Sequence, residues 1–166
     1  LMTPELRDRV LNEIIRPTLN GMQSEGIPYT GCLYVGLMVT ERGPMVLEYN
    51  CRFGDPEAQV VVPLIDGDLA ELLLSVSTGS LRPEQARQHP ASAVCVVMAS
   101  RGYPDDYEVG KEIKGLDSVR ADEGEVVFHA GTKNENGRTV TSGGRVLGVT
   151  AVGYGHDLAG TIHAAY

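Results

Sequence analysis

The sequence has no tryptophan, only two phenylalanines among its 166 residues, and no run of basic side chains. Lys and Arg number 14 against 22 Asp and Glu, a formal net charge of −8, so the molecule's field repels polyanions and nucleic acid is not an expected partner. An anionic small substrate stays open, because a single Arg or Lys holds a phosphate whatever the overall charge. Cysteine is scarce. Cys32, Cys51 and Cys95 are odd in number, widely spaced and free of any C-x-x-C, which argues against a disulfide framework or a zinc site and for reduced thiols in the cytoplasm. No apolar run reaches the ~18–20 residues of a membrane span, and no basic-then-apolar signal opens the chain, so no membrane partner is expected. Leu1 precedes Met2 and Tyr166 falls inside a helix-like pattern, so the sequence reads as a fragment.

What is present is globular in character, with 42% apolar and 22% charged residues and enough length for one ordinary domain or two small ones. Thr3-Pro4-Glu5 is a helix start, and Leu6, Val10, Leu11, Ile14 and Ile15 recur on one face; the helix is expected to run to about Gly26, bent near Pro17. Residues 31–39 and 45–50 read as a β-hairpin around Glu41-Arg-Gly-Pro44. Asp55-Pro56-Glu57 repeats the cap, proline and acid signature, predicting a helix from Ala58 to about Ile65 and a further one from Asp68 to Ser77, with Leu69, Leu72, Leu73 and Val76 as its buried stripe. Residues 81–89 read as a linker. Short strands are expected at 93–100, 126–130, 139–142 and 146–152, with a final helix from about Asp157. The division is therefore residues 1–80 and a small β-rich unit, 81–166.

The stretch V-L-E-Y-N-C-R-F-G-D-P-E at residues 46–57 joins an apolar strand to a helix start through a crowd of polar groups. Strand alternation puts Val46, Glu48 and Asn50 on one face and Leu47 and Tyr49 on the other. Glu48 and Asn50 then offer two hard oxygens side by side, which suits a magnesium ion that takes its other ligands from water and nucleotide phosphates. Arg52 can grip a phosphate or carboxylate in bidentate fashion, and Asp55 and Glu57 can reach a substrate amine. The plainer reading also stands at this point: Asp55 caps its helix and Arg52 pairs with Glu57.

Gly31-Cys-Leu-Tyr-Val-Gly-Leu-Met38 and Leu47-Glu-Tyr-Asn-Cys-Arg-Phe-Gly-Asp-Pro-Glu-Ala-Gln59 closely resemble the phosphoribosylamine–glycine ligase family of the ATP-grasp superfamily. The resemblance continues through Lys111-Glu-Ile-Lys-Gly115, Phe128-His-Ala-Gly-Thr132 and Thr141-Ser-Gly-Gly-Arg-Val-Leu147. It implies an α+β fold, residues 1–80 being the carboxyl-terminal portion of an ATP-grasp domain with a mainly antiparallel sheet and helices, and 81–166 the small β-rich domain that follows. It implies an enzyme of purine biosynthesis in which ATP phosphorylates glycine and the resulting glycyl phosphate is captured by 5-phosphoribosylamine, giving glycinamide ribonucleotide, ADP and phosphate. On the family pattern Glu48 and Asn50 hold Mg2+ or Mn2+, Arg52 is catalytic and touches substrate, and Asp55 and Glu57 belong to the substrate pocket. The glycine-rich loop and lysine that cover the phosphates in the family have no counterpart before Leu1. The isolated chain is therefore expected to be inactive and to self-associate through the surface left by the missing lobe.

Lys133 and Arg145 are further substrate candidates, Arg145 at the end of a Thr141-Ser-Gly-Gly run that reads either as a phosphate cradle or as a hairpin turn. His89, His129, His156 and His163 lack metal-ligand spacing, and no Ser-His-Asp or Cys-His arrangement suggests a nucleophile. Two other functions remain: a non-catalytic nucleotide- or phosphoribosyl-binding or assembly module, and a different purine-pathway ATP-grasp ligase.

Overall fold

A computed structural model of the chain describes residues 2–155 and 158–166. These form helices and antiparallel sheets in two compact units that interleave along the sequence: residues 1–54 with 70–82, and residues 55–69 with 83–166.

The first unit opens with helix α1 (Pro4–Val10), whose Thr3 hydroxyl accepts from the Leu6 amide at 3.2 Å, as a capping residue does. A π-helical stretch, Leu11–Ile15, follows, and α2 (Arg16–Ser24) completes the helical run. The irregularity expected at Pro17 thus takes the form of a wider turn immediately before it, in a place where proline can supply no N–H. Strands β1 (Tyr34–Thr40) and β2 (Gly43–Asn50) make the hairpin. Helix α4 (Leu69–Ser77) buries Leu72 and Ser75, whereas Leu73 is 46% exposed and so leaves the expected stripe.

The second unit holds the short α3 (Ala58–Val61), a 3-10 turn Val62–Leu64, and β3 (Ile65–Asp66) paired with β4 (Arg87–Gln88). The expected linker therefore contains a strand. A three-stranded sheet is ordered β5 (Ala91–Ala99), β9 (Arg145–Tyr154), β6 (Glu125–His129), with β9 central, its pairing to β6 continuous and its pairing to β5 shifted between Met98 and Ala99. Its burial follows from its position: Val146, Leu147, Ala151 and Val152 are nearly inaccessible, and helix α5 (Leu158–Ala165) packs on β9 and β5. Asp157, expected to begin that last helix, lies outside the described residues. Strand β7 (Thr132–Glu135), absent from the expectation, pairs with β8 (Arg138–Thr141) around Asn136 and Gly137, whose φ values of 52° and 82° suit a two-residue hairpin turn. Among the described residues no helix is long and apolar enough to cross a membrane.

Candidate functional site

In the first unit the end of the β1–β2 hairpin carries Glu48, Asn50 and Arg52. Leu37 pairs with Val46 and Gly36 with Glu48, so Leu47 is an extra residue, a β-bulge. Residues paired across the ladder share a face. Glu48 and Asn50 therefore lie with Gly36, Tyr34 and Met45, while Val46 turns to the face of Leu37 and Tyr49, correcting the simple alternation. Tyr49 marks that other face, its hydroxyl lying 2.9 Å from the Thr18 hydroxyl on α2. Asn50 Nδ2 donates to Glu48 Oε1 at 3.0 Å, so the two side chains are in contact. That bond orients the pair, since with the amide nitrogen given to Glu48, Asn50 Oδ1 and Glu48 Oε2 have no hydrogen-bond partner among the described residues. Opposite them Gly36 leaves room: a Cβ there would sit 3.0 Å from Glu48 Cγ.

The donor set fits a hard divalent cation that draws its remaining ligands from water and phosphate. No group of three or more His, Cys, Asp or Glu suited to a self-sufficient metal site occurs among the described residues. Arg52 Nη1 donates to the Phe53 carbonyl at 2.9 Å, and the guanidinium makes no ion pair among the described residues. In the same unit, Tyr29 donates to the Cys32 carbonyl at 2.7 Å. Burial, then the neighbouring Cys51 thiol, raises the Tyr29 hydroxyl above its ordinary pKa.

In the second unit Asp55 does not cap α3. The position before the helix is Glu57, which makes no side-chain capping bond. Asp55 Oδ1 instead accepts from Gln59 Nε2 at 2.9 Å, Oδ2 pairs with Arg145 Nη2 at 3.0 Å, and the Asp55 carbonyl accepts from Arg145 Nη1 at 3.0 Å. Glu57 is half-buried, and its carboxylate has no hydrogen bond or ion pair among the described residues. Lys133 pairs with Glu135 at 3.2 Å on β7, within an exposed hairpin.

The 141–145 run joins two different sheets, so it is a corner and not a hairpin turn. Its glycines admit close backbone approach: a Cβ on Gly143 would lie 2.9 Å from Gly131 Cα, and one on Gly144 would collide with the Tyr103 ring. Ser100 closes the corner, its hydroxyl donating to the Gly143 carbonyl at 2.8 Å and its amide to the Gly144 carbonyl at 2.7 Å. Gln59, Gly36 and Ser100 were not anticipated. The signal for Gln59 was its spacing of four from Asp55.

Two family models match the chain. Residues 1–58 match "Phosphoribosylglycinamide synthetase, ATP-grasp (A) domain", and residues 93–166 match "Phosphoribosylglycinamide synthetase, C domain". The chain belongs to the phosphoribosylglycinamide synthetase family. Among its synthetase relatives, a phosphoribosylamine–glycine ligase of Chlorobaculum tepidum is 52% identical over 91% of this chain and 36% of its own length. The human trifunctional purine biosynthetic protein adenosine-3 is 51% identical over 87% of this chain, which spans 14% of that protein. A solved Thermotoga maritima phosphoribosylamine–glycine ligase superposes with a TM-score of 0.82 at 36% identity, over all of this chain and 40% of that one. The chain thus spans little more than a third of the single-function synthetases it resembles. Glu48, Asn50, Arg52, Asp55 and Glu57 fall within the synthetase ATP-grasp match, and Lys133 and Arg145 within the C-domain match.

Proposed function

We propose that this chain is the carboxyl-terminal part of a cytoplasmic ATP-dependent ligase that joins glycine to 5-phosphoribosylamine through glycyl phosphate, yielding glycinamide ribonucleotide, ADP and phosphate. The observation that carries the reading is the hydrogen-bonded Glu48–Asn50 pair on one strand face, inside the segment that matches the ATP-grasp family model. In this reading residues 1–80 complete the ATP-grasp domain and residues 81–166 form the small domain after it.

Glu48 Oε2 and Asn50 Oδ1 would hold Mg2+ or Mn2+. When bound, that cation would neutralise nucleotide phosphate charge as the γ-phosphoryl group moves. Arg52, with no carboxylate partner among the described residues, would meet the carboxylate of glycine and the charge that develops on it during phosphorylation. Asp55, Glu57, Lys133 and Arg145 are assigned to substrate binding. The chemistry asks for fixed charge and orientation, with no covalent nucleophile from the protein. The apolar side chains exposed on the hairpin, Val39 at 62% and Leu47 at 64% among them, would support self-association.

Calorimetric titration of the chain with ATP, with and without magnesium, tests the reading. Binding that depends on magnesium and weakens about tenfold or more in Glu48→Gln is expected, the loss of one charged ligand being of that order. Affinity for ATP that ignores both the metal and the substitution would sink it.

A further inference from the structure

Asp55 and Glu57 sit two residues apart and look equivalent in sequence, yet the protein treats them differently. Asp55 is already occupied: Gln59 on α3 donates to one carboxylate oxygen, Arg145 on β9 pairs with the other, and Arg145 also donates to the Asp55 carbonyl. A guanidinium that grips a carboxylate and a main-chain carbonyl together fixes the backbone as well as the side chain. Glu57 is half-buried and receives no donor from any described residue. A carboxylate that receives no donor keeps its full accepting capacity for an incoming N–H group.

We propose that Glu57 is the carboxylate that binds the primary amine of a substrate, and that Arg145 and Gln59 are positioning residues which clamp Asp55 so that the turn carrying Glu57 is held in place. This rests on the ligase reading, in which the amine belongs either to glycine or to 5-phosphoribosylamine. It moves Asp55 and Arg145 from substrate binding to support of the turn.

Two measurements on the full chain test the two halves. In the first, binding of glycine and of 5-phosphoribosylamine is compared with that of their amine-free counterparts, N-acetylglycine and ribose 5-phosphate, all with magnesium–ATP present. Glu57→Gln should weaken one amine probe about ten- to a hundred-fold and leave its amine-free counterpart unchanged, which also identifies the source of the amine. Unchanged affinity for both amines in Glu57→Gln, with a loss in Asp55→Asn, would overturn the assignment. If the unsubstituted chain binds neither magnesium–ATP nor either amine, the ligase reading falls and takes the ligand half of this inference with it. The second measurement needs no ligand. In a thermal-unfolding double-mutant cycle, Asp55→Asn and Arg145→Ala should be non-additive, the double variant melting no lower than Arg145→Ala alone, while Glu57→Gln and Arg145→Ala should add. Additivity of the Asp55–Arg145 pair would end the clamp.

Discussion

Glu48 reaches across a glycine. Because a Cβ on Gly36 would approach Glu48 Cγ to 3.0 Å, alanine there must push the carboxylate aside by some tenths of an ångström. Gly36→Ala is expected to leave far-UV dichroism unchanged and to weaken magnesium–ATP binding about tenfold, as loss of one charge-assisted contact does. Titration beside a thermal melt separates the two effects. A second residue-scale expectation concerns Glu125, which accepts from the Arg120 amide and pairs with its guanidinium. These bonds, the amide first, lower the Glu125 pKa below the ordinary carboxylate value. A lowered folded-state value means that the stabilisation is fully present above the unfolded carboxylate pKa and is lost as pH falls through the folded one. Melting temperatures recorded from neutral to acid pH should therefore fall more steeply for the unsubstituted chain than for Glu125→Gln. At this scale much was legible in the sequence. Alternation placed Glu48 and Asn50 together, but it put Val46 with them, because nothing in the residue types announces the extra residue at Leu47. The plainer reading of Asp55 as a cap fails for a related reason: cap chemistry is local, whereas its partner Arg145 lies 90 residues away.

Elements were legible where apolar periodicity is strong and hidden where it is weak. Strand β7, Thr-Lys-Asn-Glu, shows no alternation of apolar and polar residues, and only Asn136-Gly137 hinted at a hairpin. Strand β4 is two polar residues long, so a composition-based reading sees a linker. The exposure of Leu73 shows the converse limit, since periodicity says which side chains share a face and not whether anything covers it. Turn glycines offer a graded test at this scale. Gly137 has φ +82° with open space around it, whereas Gly124 has φ +87° and its added Cβ would lie 2.5 Å from the Val152 carbonyl oxygen. Gly137→Ala should cost about 1 kcal/mol, the left-handed penalty alone. Gly124→Ala adds a collision with backbone that cannot rotate away, and should cost roughly 3 kcal/mol. Urea unfolding of the two variants checks the order as well as the sizes.

For the whole molecule, composition and charge set the class while the resemblance set the family; neither specified the compact units, because contacts between distant segments decide them. The exposed hairpin side chains, with Met38 at 51% and Leu47 at 64%, lead to an expectation in solution. Sedimentation should show concentration-dependent association, and Val39→Lys with Leu47→Lys should return a monomer at the same concentration. A monomer in the unsubstituted chain at every concentration would remove self-association from the proposal. The interleaving of the units has a separate consequence for the life of the polypeptide. The backbone passes from one unit to the other after residues 54, 69 and 82. A protease that nicks one of these passages cannot release either unit, because each draws residues from both sides of at least two of the cuts. On a ribosome, likewise, the unit that begins first cannot be finished until residue 82 has emerged, by which time 55–69 of its companion is already waiting outside.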